Sequence, residues 1–315
     1  MSIKKFDIKQ LGSLLKDLSW YRVMIPALSG ISPAYSWSLA ASISKLCAPK
    51  YLPLDIITEN LSGKPFDRDL VLYEMYKQWA VSSVVNFSLL KWNKNFCDDY
   101  IEIKGLKEYI NTTTDGPVFF LSGHCFFMFA ITVFLGISGH AIHPIALEPG
   151  LTVPPHLSFM SQRIFSESQL NGGSYIFTNL ENTFNKNMFK LMLKKTILAA
   201  VDFPKNNFRG EWTNVRFMEG CIEIPTRLFK FIIKHRIPSF FVHMRWDKPS
   251  NKLILDIEKL DIETVNTTYE ACGLFAHALE KRVAAYPGSW EGWRWPKVFN
   301  HVLANKTEGR RDESP

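Results

Sequence analysis

The chain has 315 residues, 46% of them hydrophobic and 21% charged, a balance that fits a folded globular protein and excludes an intrinsically disordered one. Its 37 basic and 30 acidic residues give a formal net charge of +7, which favours anionic partners such as lipid headgroups or phosphates. A nucleic-acid partner is not supported, because the sequence has no zinc-finger spacing, aromatic RNA-binding signature or long basic helix face. The five cysteines are scattered without a C-x-x-C pair, which indicates free thiols and implies neither a metal nor a disulfide.

The most apolar N-terminal region spans residues 20–49. Its uncharged part, Val23–Ser44, is about as long as a membrane span, but Pro26 and Pro33 would break a single helix. The pattern predicts either an interfacial or re-entrant pair of helices or two core helices of a soluble domain.

Strands alternate with helices through most of residues 100–285, which predicts an α/β fold with a mostly parallel central sheet flanked by helices. We expect an N-terminal helical, membrane-interfacial segment at 1–60, an α/β domain at 61–302 and a polar tail at 303–315. The predicted helices are 67–93 with Asp67 as its cap, 106–113, 125–138, 161–170, 178–195, 225–236 and 268–287. The predicted strands are 100–106, 117–124, 141–147, 174–178, 196–202, 237–246 and 252–260, with a short strand or turn at 215–220.

Motifs for several common chemistries are absent. The sequence has neither the glycine-rich loop of a nucleotide site nor the G-x-S-x-G elbow of an α/β-hydrolase. It also lacks a cluster of residues with metal-ligand spacing, so no metal site is predicted.

A histidine follows the buried strand 117–124 directly, in the segment PVFFLSGH. His124 at a strand end is well placed for proton transfer, although an isolated histidine is usually a core residue satisfied by the backbone. Cys125 beside it is a poor partner for a thiol–imidazole dyad, because adjacent residues of an extended strand point to opposite faces.

Three further segments occur in a fixed order: AAVDFPKN at 199–206, RFMEGCIEIPTR at 216–227 and YPGSWEGWRWPK at 286–297. Together with PVFFLSGH they resemble the bacterial lipid A late acyltransferases (lauroyl/myristoyl transferases), within the wider lysophospholipid acyltransferase superfamily. The resemblance covers about residues 60–300. Within it, His124 matches the family's general base and Asp202 matches the acid that ends a later strand.

The resemblance implies an acyltransferase that moves a fatty acyl group from an acyl-carrier protein or acyl-CoA thioester to a hydroxyl or amine. The acceptor would be a lipid-like molecule or a metabolite, and no cofactor is needed beyond the thioester co-substrate. It also implies a membrane partner and a location at the cytoplasmic face of the inner membrane, peripheral or monotopic; a cytoplasmic location is the alternative.

The chain departs from the family at position 129, where Phe129 replaces the acid that follows the histidine. Asp202 and Glu219 are the candidates to supply the missing carboxylate, although Asp202 would serve equally well as a turn cap and Glu219 as a solvated residue. The departure also leaves a rival function open, a catalytically degenerate protein that binds an acyl chain or an acyl-carrier protein.

Three residues are candidates for substrate binding. Arg163 suits a phosphate or carboxylate, with a surface ion pair as its alternative role. Thr226 and Arg227 begin a helix, where backbone N–H groups favour an anion.

Overall fold

A computed structural model describes residues 19–47, 52–105, 116–147, 158–178, 186–202 and 210–295. Its strands are β1 Ile101–Lys104, β2 Phe119–Ser122, β3 Ile142–Leu147, β4 Ile176–Thr178, β5 Thr196–Ala200, β6 Trp212–Phe217, β7 Gly220–Pro225, β8 Ser239–Asp247 and β9 Lys252–Leu260. Its α-helices are α1 Ile25–Ser29, α2 Pro33–Cys47, α3 Leu54–Leu61, α4 Arg68–Ser88, α5 Lys94–Tyr100, α6 Met128–Ile137, α7 Ser158–Ile164, α8 Lys186–Met192, α9 Thr226–His235 and α10 Thr268–Ala285.

Seven strands form one sheet in the order β1–β9–β8–β2–β5–β3–β4. Every neighbouring pair in it is parallel except β8 and β9, which form an antiparallel hairpin. All four residues of β2 are buried, as are eight of the nine in β8, so the central strands are covered on both faces. Burial on both faces favours apolar runs such as the FFL of β2, which explains why the sequence predicted that strand. The α/β fold class is confirmed.

The long helix α4 is the element that covers one face of the site. Asp67 caps it, accepting a hydrogen bond from the Leu70 N–H at 3.0 Å, as the sequence predicted. Gln78 then fixes the helix to β8, since its side chain both donates to and accepts from the Trp246 backbone at 2.9 Å.

The N-terminal helices pack against α4. A π-helix over Trp20–Met24 runs directly into α1, so the chain stays helical through Pro26 and the predicted break there is wrong; a proline is tolerated in the first turn of a helix. The predicted break at Pro33 is confirmed, since Pro33 begins α2. The buried Trp20 ring stacks on Trp79 of α4 with 5.5 Å between centroids. None of the helices that the structure describes is long and apolar enough to cross a bilayer. The predicted division at residue 60 and the interfacial role of this segment stay predictions.

The main difference from the sequence prediction lies at residues 212–225. Where the pattern indicated only a short strand or turn at 215–220, the structure has a full antiparallel hairpin, β6–β7, outside the main sheet. The helix predicted at 225–236 is present as α9. The hairpin was missed because only its inward residues Val215, Phe217, Ile222 and Ile224 are apolar and buried. The predicted helix 106–113, most of the loop after β3 and the tail 303–315 lie outside the described residues, and of helix 178–195 the structure describes Lys186–Met192.

Candidate functional site

Two parallel strands bring His124 and Asp202 together. In the β2–β5 pair, Ser122 lies opposite Ala200, and the ladder continues one step further because the Val201 N–H donates to the Ser122 carbonyl at 3.0 Å. His124 and Asp202 each follow two residues after these partners. Because paired parallel strands lie about 4.8 Å apart, equal offsets from one register pair place the two side chains beside each other.

The Asp202 carboxylate accepts several hydrogen bonds. His124 Nδ1 lies 2.7 Å from Oδ1, and the His124 backbone N–H lies 2.8 and 2.9 Å from the two oxygens. The Trp290 indole N–H donates to Oδ2 at 2.6 Å. The Asp202 side chain is fully buried, and these donors compensate for the lost hydration of its charge.

Gly123 allows this close approach. A Cβ at this position would lie 2.5 Å from Leu279 Cδ1 and 2.9 Å from Asp202 Oδ2. A side chain there would therefore displace the Asp202 carboxylate or the tip of the Leu279 side chain. The S-G-H order in the sequence thus has a steric reason.

The charges around His124 raise its pKa above the ordinary value of 6.5. Burial lowers the pKa, but the charge and hydrogen bond of Asp202, aided by the Glu291 carboxylate, outweigh it; the nearby Arg294 opposes them. About a third of the His124 side chain remains exposed. His124 therefore binds a proton more tightly than a free imidazole does, and a ligand can reach it.

The segment after α10 holds the other side of the site. Trp290 forms an isolated antiparallel bridge with Cys125, and the Glu291 N–H donates to the His124 carbonyl at 2.9 Å. The Trp295 ring lies edge-on to the imidazole, 4.7 Å between centroids. The tryptophan-rich element of the sequence therefore encloses His124 and Asp202.

A second buried histidine supports that segment. His243 on β8 lies with Nε2 2.8 Å from Ser289 Oγ, whose own hydrogen goes to the Tyr286 carbonyl at 2.7 Å. Ser289 must then accept from His243, so His243 carries its hydrogen on Nε2. Burial, followed by the charges of Arg282 and Arg245, lowers the pKa of His243 to about 3, so this imidazole is neutral.

His124 lines a cavity of about 430 Å³ between the sheet and helices α4, α6 and α7. Its walls are mostly apolar, with Met128, Ile145 and Leu198 among the lining residues, and it also contains Glu291 and Arg294. These two form an ion pair, Arg294 Nη1 to Glu291 Oε2, at 2.6 Å. The cavity therefore combines an apolar body with polar groups beside His124.

Phe129 belongs to the apolar wall of this cavity. Its ring packs edge-on against Phe165 with 5.3 Å between centroids. The carboxylate partner of His124 comes instead from Asp202, which the sequence offered as one of two replacements. His124 therefore has a carboxylate partner although position 129 carries no acid.

The other predicted site residues lie elsewhere. Glu219 is exposed on the turn between β6 and β7, while Thr226 and Arg227 follow β7 at the opposite end of that hairpin. Strand β7, with six residues and a length of about 17 Å, lies between them. The Thr226 hydroxyl bonds to the Glu211 carbonyl at 3.2 Å, and none of these three residues lines the His124 cavity. Their catalytic or substrate-binding roles stay predictions. Arg163 lies in α7, and its side chain is outside the described part of the structure.

Thiol and metal chemistry have little basis in the described site. Burial raises the pKa of the Cys125 thiol to about 12, so it is protonated and a weak nucleophile at neutral pH. Over the described ranges, no three histidine, cysteine or acidic residues converge as a metal ion would require.

Sequence reasoning missed the direct role of Trp290 and the polar residues Ser82, Ser83 and Asn86 that α4 contributes to the cavity. Trp290 stood out only as part of an aromatic cluster. The two serines carry a weak signal, since they interrupt an otherwise apolar stretch of a long helix, whereas nothing in the sequence marks Asn86.

The sequence matches no protein-family model and no curated protein. Among solved structures it is similar to the crystal structure of the 1-acyl-sn-glycerophosphate (LPA) acyltransferase PlsC from Thermotoga maritima. That similarity has a TM-score of 0.37 and 13% sequence identity, and it covers 82% of this chain and 100% of the other. The resemblance to the lipid A late acyltransferases stays a prediction.

Proposed function

We propose that the protein is an acyltransferase that moves a fatty acyl group from a thioester to a hydroxyl or amine, with His124 as its general base. The observation that carries this proposal is the His124–Asp202 pair, 2.7 Å apart, at the wall of a mostly apolar cavity. The cavity volume of about 430 Å³ falls in the range of small-ligand pockets. An apolar body suits an acyl chain, and a base at its wall suits the reacting carbonyl.

Asp202 sets the tautomer of the base. Its hydrogen bond to Nδ1 holds a proton on that nitrogen and leaves the lone pair on Nε2, the nitrogen that then accepts the substrate's proton. As the acceptor oxygen or nitrogen attacks the thioester carbonyl, Nε2 takes its proton. The C–S bond then breaks and the imidazolium returns that proton to the leaving thiolate, so the protein ends the cycle unchanged.

Asp202 also stabilises the imidazolium during the reaction. The His124 and Trp290 N–H groups already hold the buried Asp202 carboxylate in place, so little rearrangement is needed when the imidazole becomes positive. Arg294 at the cavity wall is suited to attract an anionic part of the donor or the acceptor. The acyl donor, acyl-CoA or acyl-carrier protein, is the only co-substrate in this proposal.

Exposed apolar residues on the N-terminal helices support action at a membrane surface. Six of the thirteen large hydrophobic side chains exposed in the described structure fall between residues 23 and 46, namely Val23, Met24, Ile31, Tyr35, Leu39 and Leu46. Such a concentration, with a net charge of +7, suits peripheral binding to an anionic bilayer. We therefore propose a lipid-like acceptor at the cytoplasmic face of the inner membrane.

Turnover by purified protein tests the catalytic part of this proposal. Acyl-CoA and acyl-carrier-protein donors are combined with hydroxyl and amine acceptors, and both thioester loss and acylated product are measured. His124→Ala should reduce kcat about 10²- to 10⁴-fold, the usual contribution of a general base. The exposed His277 provides the matched control, and His277→Ala should keep full activity.

Unchanged turnover in His124→Ala would refute the assignment of the base. Tight acyl binding without turnover by the wild-type chain, on every donor and acceptor tested, would instead support the degenerate binder that the sequence left open.

Sedimentation with phosphatidylglycerol vesicles tests the membrane part. Tyr35→Ser should weaken binding severalfold, because the Tyr35 side chain is 74% exposed on α2. Tyr269→Ser on α10, where the tyrosine is 59% exposed, is the matched control and should bind normally. Equal binding by both variants and the wild type would contradict the assigned surface.

A further inference from the structure

Helix α4 places three polar side chains in the wall of the acyl cavity. Ser82, Ser83 and Asn86 lie at positions i, i+1 and i+4, so they share one face of the helix. The Asn86 Oδ1 atom is buried and has no hydrogen-bond partner among the described residues. A buried acceptor left without a donor is energetically unfavourable, so this oxygen is suited to a donor from a ligand or from solvent.

The two serines present acceptors as well. Both hydroxyl hydrogens are directed to the Trp79 carbonyl, at 2.8 Å from Ser82 and 3.0 Å from Ser83. Toward the cavity, each hydroxyl oxygen can therefore act only as a hydrogen-bond acceptor. The α4 face therefore presents three acceptor oxygens, which suit a ligand group that donates hydrogen bonds.

The charge of the cavity indicates that this donor is neutral. Glu291 is the one acidic residue among the described lining residues, and it is paired with Arg294. A buried ammonium group beside Asn86 would therefore lack a carboxylate partner, which is costly in an apolar cavity. An alcohol or an amide N–H meets the same acceptors without that cost.

The polar subsite lies away from the end of α4 that packs on the segment Tyr286–Trp290. A Cβ on Gly288, three residues before Glu291, would lie 2.4 Å from Glu74 Cβ, so α4 passes that segment at Glu74. Asn86 follows twelve residues later, about 18 Å along the helix at 1.5 Å per residue. Asn86 therefore lies far from the end of α4 that contacts Gly288, at a different part of the cavity lining.

We infer that the thioester substrate carries a neutral hydrogen-bond donor, a hydroxyl or an amide N–H, which Asn86 recognises with Ser82 and Ser83. This inference rests on the proposed acyltransferase function and names a feature of its substrate. The donor has two chemical sources, a hydroxyl on the acyl chain or an amide in the arm that carries the thioester.

Matched thioesters separate these sources. The first arm compares dodecanoyl-CoA with a series of dodecanoyl-CoA analogues that carry one hydroxyl at successive chain positions. The second arm compares the N-acetylcysteamine thioester of dodecanoic acid, which has an amide N–H, with the ethyl thioester, which has none. For each pair, kcat/KM is measured with the full-length wild type, Asn86→Leu and Asn86→Ala.

We expect the wild type to prefer the donor-bearing member of one arm by about 3- to 10-fold, the net effect of one hydrogen bond. Asn86→Leu and Asn86→Ala should reduce that ratio to about one while retaining turnover of the donor-lacking substrate. Ser88→Ala is the control, since Ser88 lies on the same helix outside the cavity lining and its change should leave the ratio intact.

Thermal unfolding tests whether the role of Asn86 is merely structural. Asn86→Leu removes a buried acceptor that has no described partner, so it should leave the Tm of the ligand-free protein unchanged or raise it. A Tm lowered by both substitutions, with the substrate ratio intact, would show that Asn86 serves the fold and would overturn the inference. Equal kcat/KM for both members in both arms would overturn it as well.

A binding assay keeps this inference separate from the proposed reaction. Calorimetry compares dodecan-1-ol with its methyl ether, which lacks the O–H donor. Preference for the alcohol, lost in Asn86→Leu, would support the subsite even if no thioester turns over. Turnover that depends on His124, without any such preference here or in either thioester arm, would support the reaction and reject the subsite.

Discussion

Two histidines of this fold carry the same imidazole in opposite electrostatic settings. His124, at the end of β2, faces the Asp202 carboxylate and has a raised pKa. His243, inside β8, faces a serine hydroxyl and lies near Arg245 and Arg282, and its pKa falls to about 3. His124 lies just after a strand end and lines a cavity, whereas His243 is completely buried.

The difference shows how partner and position determine the role of a histidine. A carboxylate partner and partial exposure produce a group able to exchange protons with a ligand near neutral pH. A hydroxyl partner and complete burial produce a fixed neutral donor, which holds the Tyr286–Trp290 segment beside the site. His243 therefore supports the position of Trp290, and Trp290 in turn donates to Asp202.

The substitution Asp202→Asn should have the largest effect, because it removes the carboxylate that distinguishes His124 from His243. An Asn amide that donates to Nδ1 favours the tautomer with hydrogen on Nε2, which cannot accept a substrate proton. We expect kcat to fall about 10²- to 10⁴-fold. Because the carboxylate is what raises the pKa of His124, the acid limb of the remaining kcat/KM profile should move to lower pH.

Asp69→Asn, at an exposed acid on α4, is the control and should change neither quantity. An acid limb that stays in place in Asp202→Asn would show that another group controls the protonation of His124.

The substitution His243→Gln should remove one source of acid instability. His243 stays neutral in the fold down to about pH 3, whereas the unfolded chain takes up the proton below about 6.5, so stability falls as the pH drops through this window. The expected slope is about 1.4 kcal/mol per pH unit. Gln keeps a donor for Ser289, so unfolding measured in urea from pH 7 to 4 should show a shallower loss. A slope equal to that of the wild type would contradict the assignment.

The substitution Trp290→Phe should weaken the site without dismantling it. It removes the N–H donor to Asp202 but keeps a ring beside Phe217, which lies 5.3 Å away. We expect kcat to fall about tenfold, the cost of one hydrogen bond to a charged group. With one donor fewer, Asp202 attracts the imidazolium more strongly, so the acid limb should move to higher pH, opposite to Asp202→Asn.

Trp293→Phe is the matched control, because that indole N–H donates to the Pro287 carbonyl and not to Asp202. Its acid limb should coincide with that of the wild type. The same upward shift in both variants would attribute the effect to general loosening of this segment.

The smallest effect concerns stability above neutral pH. The pKa of His124 is higher in the fold than in the unfolded chain, so its pairing with Asp202 contributes fully below about 6.5. That contribution is lost as the pH rises through the folded pKa. His124→Asn should therefore be less stable than the wild type at pH 6, and the difference should narrow toward pH 9 in thermal unfolding scans. A difference that is constant with pH would disprove the linkage.

Many elements of this fold are readable from the sequence because burial makes their patterns strong. Strands β2 and β5 are largely apolar runs, and Asp67 marks the start of α4. The hairpin β6–β7 was hidden because each strand buries one face and lies outside the main sheet. Thr226 and Arg227 follow this hairpin, so a motif that looked continuous in sequence is divided between its two ends.

The sequence by itself determined the α/β class, the strand that precedes His124 and the acid that follows β5. Only the tertiary structure decided that Asp202 contacts the imidazole, because that contact depends on the register between strands separated by 78 residues. It also decided that Phe129 lines the cavity, that Trp290 holds Asp202 and that Asn86 lacks a protein partner. Strand pattern is local and is encoded along the chain, whereas pairing and the satisfaction of buried polar atoms depend on residues brought together by folding.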